Sequence, residues 1–166
     1  MELKKLKKAL AAEAQAAGIC SEWYNFILKA TSKERLMALY FKGFDFVEEN
    51  DFPSEPLRRE FDVIRRHYNI YEAERFSVKN PRRLVAYTGA QGSAEFTNFA
   101  VAQVWARQGA AVTIDASGSS YVTLDVAQGA TAHIKASDKS RVIVFLHGGT
   151  VTQEVQDNAV ITIKEK

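Results

Sequence analysis

The sequence lacks several features that would assign it to a protein class. Its only cysteine, Cys20, cannot form an internal disulfide, so the chain is not a secreted scaffold held together by disulfides. No stretch approaches 18 consecutive apolar residues, so we expect no transmembrane segment. The net charge is only +2 and the basic pairs do not gather into one stripe, so neither a nucleic acid nor a membrane is predicted as a partner. We expect a folded, cytoplasmic protein.

Signatures of catalysis and of metal binding are missing as well. His133 and His147 fall on opposite faces of the predicted strands, and no metal-ligand spacing is present. Asp115 and Asp125 also fall on different faces, so they cannot flank one glycosidic bond. Cys20 has no basic residue beside it, and we expect a buried, inert thiol. The sequence therefore predicts no catalytic residue, no metal site and no cofactor.

The first half of the chain has the pattern of a small helical bundle. Residues 3–17 are rich in Ala, Leu, Lys and Glu, which favour helices, and Gly18 is a natural stop. Residues 31–34, with the sequence Thr-Ser-Lys-Glu, match a capping box in which the threonine is the N-cap. We predict a helical domain over residues 1–67, followed by a connector over residues 68–82.

The second half, residues 83–166, repeats every twenty residues. The clearest marks of the repeat are Gly89, Gly109, Gly129 and Gly149, and short strands with alternating apolar and polar residues lie between them. An antiparallel meander would give no reason for residues twenty positions apart to resemble each other. In a solenoid, equivalent residues of successive coils stack about 4.8 Å apart, so residues twenty positions apart share one environment and tend to be similar. The sequence therefore predicts an α+β protein, with an N-terminal small helical bundle and a parallel β-helix (β-solenoid) of about four coils.

The phase of the alternation changes after Gly149. The apolar residues that follow, Val151, Val155, Ile161 and Ile163, occupy odd positions, whereas those of the preceding coils occupy even ones. One residue has therefore been dropped at this turn. We expect an atypical and more polar final coil, which blunts the open end of the solenoid against further stacking.

The twenty-residue coil, its glycine corner and its Val-x-Ile and Val-x-Leu strands resemble the short parallel β-helix domains of bactofilin-type proteins and of phage or cell-surface proteins. The resemblance covers residues 83–166 and rests on this pattern. It implies the fold, and it implies a role of the kind such domains have, as scaffolds, polymerisers or binding surfaces.

The outward positions of the predicted coils form two different faces. One is polar, and there Asp115 is expected to stack over Lys135 as an opposite-charge pair. The other carries an apolar patch that should not be left in contact with water, and it is the candidate interaction face. This aromatic face consists of Trp105, Tyr121, Asp125, Arg141, Ile143 and Phe145.

The sequence allows three explanations of how the aromatic face is shielded from water. The helical half could fold back on it, a second copy of the chain could cover it in a homodimer, or a glycan could bind there. We expect a non-enzymatic structural or interaction protein, in which a helical cap accompanies a β-solenoid scaffold that self-associates. The alternative is a carbohydrate-binding module or a small polysaccharide-active enzyme that uses the aromatic face.

Overall fold

The computed structural model describes residues 1–165. The chain divides into two compact units, of which the first is Met1–His67 and the second begins at Tyr68. The first unit is helical and the second is a parallel β-solenoid, which confirms the predicted α+β class. Within residues 1–165, no helix is both long enough and apolar enough to cross a membrane.

The helical unit contains six short helices among the described residues. Apolar side chains at helical spacing form its core, including Leu6 and Leu10 of the first helix and Phe61. The Glu13 carboxylate accepts hydrogen bonds of 2.6 Å from both the backbone N and the Oγ of Ser54, so it holds the start of the fifth helix. The helices are α1 (Leu3–Ala16), α2 (Ser21–Lys29), α3 (Lys33–Lys42), α4 (Phe44–Asn50), α5 (Glu55–Arg59) and α6 (Asp62–His67).

Two local predictions in this unit were wrong. The N-cap of α3 is Ser32 rather than Thr31, because Ser32 has the extended backbone an N-cap requires and its Oγ accepts from the backbone N of Arg35 at 3.2 Å. Cys20 is exposed rather than buried. It is the N-cap residue of α2 and lies in the short link that follows α1, outside the apolar stripe of either helix.

The second unit consists of two parallel sheets. Sheet A has the order β1-β3-β5-β7-β9-β11, and sheet B has the order β10-β8-β6-β4-β2, so the chain crosses from one sheet to the other at every turn. The strands are β1 (Ile70–Tyr71), β2 (Arg75–Lys79), β3 (Arg83–Ala86), β4 (Gln91–Phe96), β5 (Val101–Ala106), β6 (Ala111–Ala116), β7 (Tyr121–Ala127), β8 (Thr131–Ala136), β9 (Arg141–His147), β10 (Thr150–Val155) and β11 (Val160–Glu165).

The solenoid has about five coils, rather than the four predicted, because its first coil lies in the segment expected to be a connector. In that segment β1 and β2 pair with β3 and β4. Ile70 is in register with Val85, and Phe76 with Gly92, so the offsets are only 15 and 16 residues (85 minus 70, and 92 minus 76). The first coil is short because its strands are short and its two connections have three residues each, whereas the connections of the β5–β6–β7 coil have four.

Side chains that alternate along the strands fill the space between the two sheets. Ile114 and Ile134 lie in one stack, and Val104, Leu124 and Val144 lie in another, each at most 1% exposed. Burial of each such side chain contributes about 1.5–3 kcal/mol. β-branched residues suit these positions because they pack well against their neighbours on a pleated surface.

The dropped residue at the last corner is confirmed. Thr150 is in register with Thr131, an offset of 19 residues (150 minus 131) where the preceding coils have 20. A side chain at Gly149 would meet the carbonyl oxygen of Ala130 at 2.6 Å. In the preceding coil, Gly129 has a left-handed backbone at this turn. In the shortened turn the equivalent left-handed residue is Gly148, with φ of +84°.

The corner that leads from sheet B to sheet A has its own hydrogen-bond ladder. The Asp138 carboxylate accepts from the backbone N of Gly118 at 2.8 Å, and the Asp157 carboxylate accepts from the backbone N of Asp138 at 3.1 Å. In the first coil, the side-chain oxygen of Asn80 accepts from the backbone N of Thr97 at 2.8 Å. A side chain of one coil therefore binds the backbone of the adjacent coil and fixes the stacking at this corner.

Candidate interaction face

The parallel register places the predicted aromatic face on the outer surface of sheet A. Strands β5, β7 and β9 contribute one residue each to every column that runs along the solenoid axis. All six predicted residues lie in these outward columns. The first column is Val101, Tyr121 and Arg141, the middle column is Gln103, Thr123 and Ile143, and the third column is Trp105, Asp125 and Phe145.

The columns differ in how much of each side chain is in contact with solvent. Tyr121 is 38% exposed and Arg141 is exposed, whereas Trp105, Ile143 and Phe145 are half-buried. The most open part of the face is therefore the first column, at the edge near the corner that enters sheet A.

Two further apolar residues at this edge were not included in the prediction. Phe99, in the corner before β5, is 82% exposed, and Val101 at the start of β5 is 67% exposed. Val101 occupies an outward position next to Tyr121, so the alternation of the sequence contained the signal for it. Phe99 lies in a turn, where the alternation gives no direction.

The acidic residue on this face, Asp125, is in contact with a histidine. Its Oδ2 lies 3.1 Å from Nε2 of His147, and its side chain is only 13% exposed. His147 follows Phe145 by two residues and is in register with Ala127, so the pair is diagonal across neighbouring strands. This contact was not predicted, because direct register pairs Asp125 with Phe145 and His147 was considered only as a metal ligand.

The other carboxylate oxygen of Asp125 is buried and has no hydrogen-bond partner within residues 1–165. Trp105 and Phe145 flank Asp125 in the third column, and Nζ of Lys164 lies 5.8 Å from the centre of the Phe145 ring. A buried acceptor without a partner costs about 1–3 kcal/mol. Oδ1 of Asp125 is therefore an unsatisfied acceptor that a donor from outside the chain could reach only after a local rearrangement.

The outer face of sheet B is polar, as predicted. Asp115 and Lys135 are in register, but the carboxylate closest to Lys135 is Glu154 of the next coil, at 4.0 Å. The imidazole of His133 is held by Thr152 Oγ1 at 2.6 Å and by Glu154 Oε2 at 3.0 Å. Hydroxyl side chains border a shallow groove of about 640 Å³ along this face.

Neither side-chain clusters within the described residues nor similarity to known proteins assigns a chemistry to these surfaces. In the part of the chain that the structure describes, no cluster of three or more His, Cys, Asp or Glu side chains has a geometry that could hold a metal ion. No protein-family model, curated protein or solved structure is similar enough to the chain to count as a match. The function therefore has to be inferred from the surfaces of the protein.

Proposed function

We propose that this protein is a non-enzymatic structural protein, a β-solenoid scaffold with an N-terminal helical unit, and that it self-associates through the outer face of sheet A. The observation that supports the proposal is the exposure of Val101 and Tyr121, which are direct neighbours on β5 and β7, together with the exposed Phe99 two residues before Val101 in the preceding corner. Exposed apolar groups that are contiguous are typical of protein–protein interfaces. The outer face of sheet B, by contrast, is polar.

The size of the face bears on the strength of association. Strands β5, β7, β9 and β11 of six or seven residues span about 20 Å by 19 Å, at about 3.3 Å per residue and about 4.8 Å per strand. The projected area is roughly 400 Å², and side chains raise the accessible area above that value, whereas a standard interface buries about 800 Å² per partner. We expect a dimer in equilibrium with its monomer, so that the dimer fraction rises with protein concentration.

Light scattering after size exclusion, over a range of protein concentrations, tests the proposal. The mass should rise from the 18.5 kDa of one chain towards twice that value as concentration increases. Val101→Glu introduces a charge at the most exposed apolar position in the three columns of the face and should hold the protein as a monomer. Thr131→Glu is the control, because it introduces the same charge at an exposed position of sheet B. A wild-type monomer at every concentration, or equal effects of the two variants, would contradict the proposal.

The second candidate function is carbohydrate binding on the same face. It is favoured by the third column, in which Trp105 and Phe145 flank a carboxylate, since sugars bind to aromatic rings and to acidic acceptors. It is the weaker candidate because Trp105 and Phe145 are half-buried, whereas Val101 and Tyr121 of the first column are the more exposed apolar groups of the face. Affinity electrophoresis against a panel of soluble polysaccharides, with Trp105→Ala as the matched variant, tests it. Retardation of the wild type that this variant abolishes would favour the carbohydrate function.

The cytoplasmic location expected from the sequence belongs to the same proposal, and so does kinship to bactofilin-type, phage or cell-surface solenoids. The kinship is supported by the twenty-residue parallel coil, whose register is constant from β4 to β8 in sheet B and from β3 to β9 in sheet A. A regular coil of this kind suits a scaffold, because every outward column repeats the same geometry along the axis.

A further inference from the structure

We infer that, in the self-associated protein, Arg141 of one copy donates to the unpaired carboxylate oxygen of Asp125 in the second copy. The inference rests on the proposed self-association and identifies the polar contact that sets the orientation of the two copies. Both residues lie on the outer face of sheet A, in different columns.

Asp125 and Arg141 carry complementary hydrogen-bonding groups. Oδ1 of Asp125 is a buried acceptor without a hydrogen-bond partner within residues 1–165. Arg141 is exposed, and across the same residues its guanidinium makes no ion pair or side-chain hydrogen bond. One face thus presents an acceptor that lacks a donor and a donor that lacks an acceptor. The two are about four residues apart along the strands, too far to meet within one chain.

Symmetry brings the two groups together across a dimer. A closed homodimer packs the same face of each copy about a two-fold axis that lies in the interface. If this axis runs parallel to the solenoid axis through the middle column, it exchanges the two ends of every strand. The first column of one copy then faces the third column of the other. Tyr121 lies opposite the partner's Asp125, and Arg141 lies one strand away, about 4.8 Å along the axis, which is within reach of a long side chain.

The other simple arrangement does not pair these groups. A two-fold axis parallel to the strands sets the first column against the first column of the partner. Arg141 would then meet Tyr121, Val101 or Val160 of the partner subunit, and Oδ1 of Asp125 would stay without a donor in a dry interface. A buried acceptor without a donor is unfavourable, so the polar groups favour the first arrangement.

Docking requires a small local change at Asp125. Its Oδ1 is buried in the single chain, so side chains around Asp125 must move to give the arginine access to this oxygen. The gain is a charge-assisted hydrogen bond from guanidinium to carboxylate, which is about twice as strong as a neutral one. His147 retains the Oδ2 atom, which leaves Oδ1 for the arginine.

A double-mutant cycle on the dimer dissociation constant tests this contact. Asp125→Asn keeps the size of the side chain and removes its charge, and Arg141→Gln removes the donor charge. Each variant alone should raise the dimer Kd by about tenfold, and the double variant should raise it by no more than either single change, because the two residues act through one contact. If the two effects multiply to about a hundredfold, or if Arg141→Gln leaves the Kd unchanged, the inference is overturned.

Two further measurements keep the outcome unambiguous. Arg141→Glu leaves Asp125 untouched and sets two carboxylates against each other, so it should raise the Kd more than Arg141→Gln does, and equal effects would contradict the contact. The Val101→Glu variant separates this inference from the proposed function. If Val101→Glu dissociates the dimer while the cycle is additive, self-association stands and the Asp125–Arg141 contact is wrong. If the wild type is a monomer at every concentration, both are wrong.

Discussion

Asp125 and His147 form a diagonal pair across β7 and β9, with 3.1 Å between the carboxylate Oδ2 and the imidazole Nε2. Only 13% of the Asp125 side chain and 32% of the His147 side chain are exposed, on a face that also carries the aromatic side chains of Trp105 and Phe145. The other carboxylate oxygen of Asp125, Oδ1, has no hydrogen-bond partner within residues 1–165. Among these residues, His147 is therefore the one polar group that interacts with this largely buried carboxylate. This relationship leads to a first prediction.

His147→Ala should lower the free energy of unfolding by about 1–3 kcal/mol, because it leaves the Asp125 carboxylate half-buried without compensation. Urea denaturation followed by fluorescence measures the change. His133→Ala is the matched control, since its carboxylate partner Glu154 is 59% exposed, against 13% for Asp125, and stays hydrated when the histidine is removed. Equal losses for the two variants would show that the Asp125–His147 pair does not stabilise the fold.

A second prediction concerns the first coil, where Phe76 lies over Gly92. A side chain at Gly92 would come within 2.1 Å of the Phe76 carbonyl oxygen and 2.5 Å of its ring. Gly92→Ala should therefore cost about 1–3 kcal/mol of unfolding free energy through overpacking. Thermal unfolding measures the loss, with Ser93→Ala, at the neighbouring outward position, as the control. A Gly92→Ala protein as stable as the wild type would contradict the placement of the first coil on the second.

The stacked pair at the same end supplies a third prediction. The Tyr71 and Phe76 rings are stacked with centroids 4.6 Å apart, and both side chains are buried. Phe76→Leu should cost about 0.5–1.5 kcal/mol beyond the loss of apolar area, because the ring–ring contact is removed. A double-mutant cycle with Tyr71→Leu isolates this term. A coupling energy indistinguishable from zero would contradict the stacking.

The corner ladder gives a fourth prediction. Asp138 has a left-handed backbone, with φ of +57°, and its carboxylate binds the backbone N of Gly118. Asp138→Ala should lose about 1–2 kcal/mol of unfolding free energy, since it removes the acceptor and places alanine at a strained φ. Asp138→Asn keeps an oxygen acceptor and tolerates this φ, so it should retain most of the stability in thermal unfolding. Equal losses for the two substitutions would argue against the ladder.

Much of the fold could be predicted because, in a parallel solenoid, residues one repeat apart in the sequence lie next to each other on adjacent strands. The residues Ile114 and Ile134, twenty positions apart, are direct neighbours in sheet B, and Tyr121 and Arg141 are direct neighbours in sheet A. The slip before the last coil was visible as a change of phase between Val144 and Val151, because a one-residue shift reverses the direction of every side chain.

Three features could not be predicted because they do not follow the twenty-residue repeat. The first coil has offsets of 15 and 16 residues, as at Ile70–Val85 and Phe76–Gly92, so the repeat could not reveal it. The Asp125–His147 pair spans 22 residues (147 minus 125), one full coil plus two, and belongs to a diagonal that direct stacking ignores. The exposure of Phe99 depends on a corner whose backbone direction the alternation does not specify.

The most direct measurement of the central claim is a crosslinking experiment on the middle column of sheet A. In a Cys20→Ser background, a cysteine at Thr123 should be joined to the cysteine of a second copy by a short bifunctional thiol reagent, because the two sheets pack about 10 Å apart. Thr113→Cys is the control, since that threonine is also half-buried but lies on the outer face of sheet B. The account predicts a covalent dimer of twice 18.5 kDa from the Thr123 variant and only monomer from the Thr113 variant. Equal crosslinking of the two variants, or none at Thr123 at concentrations where light scattering detects dimer, would contradict it.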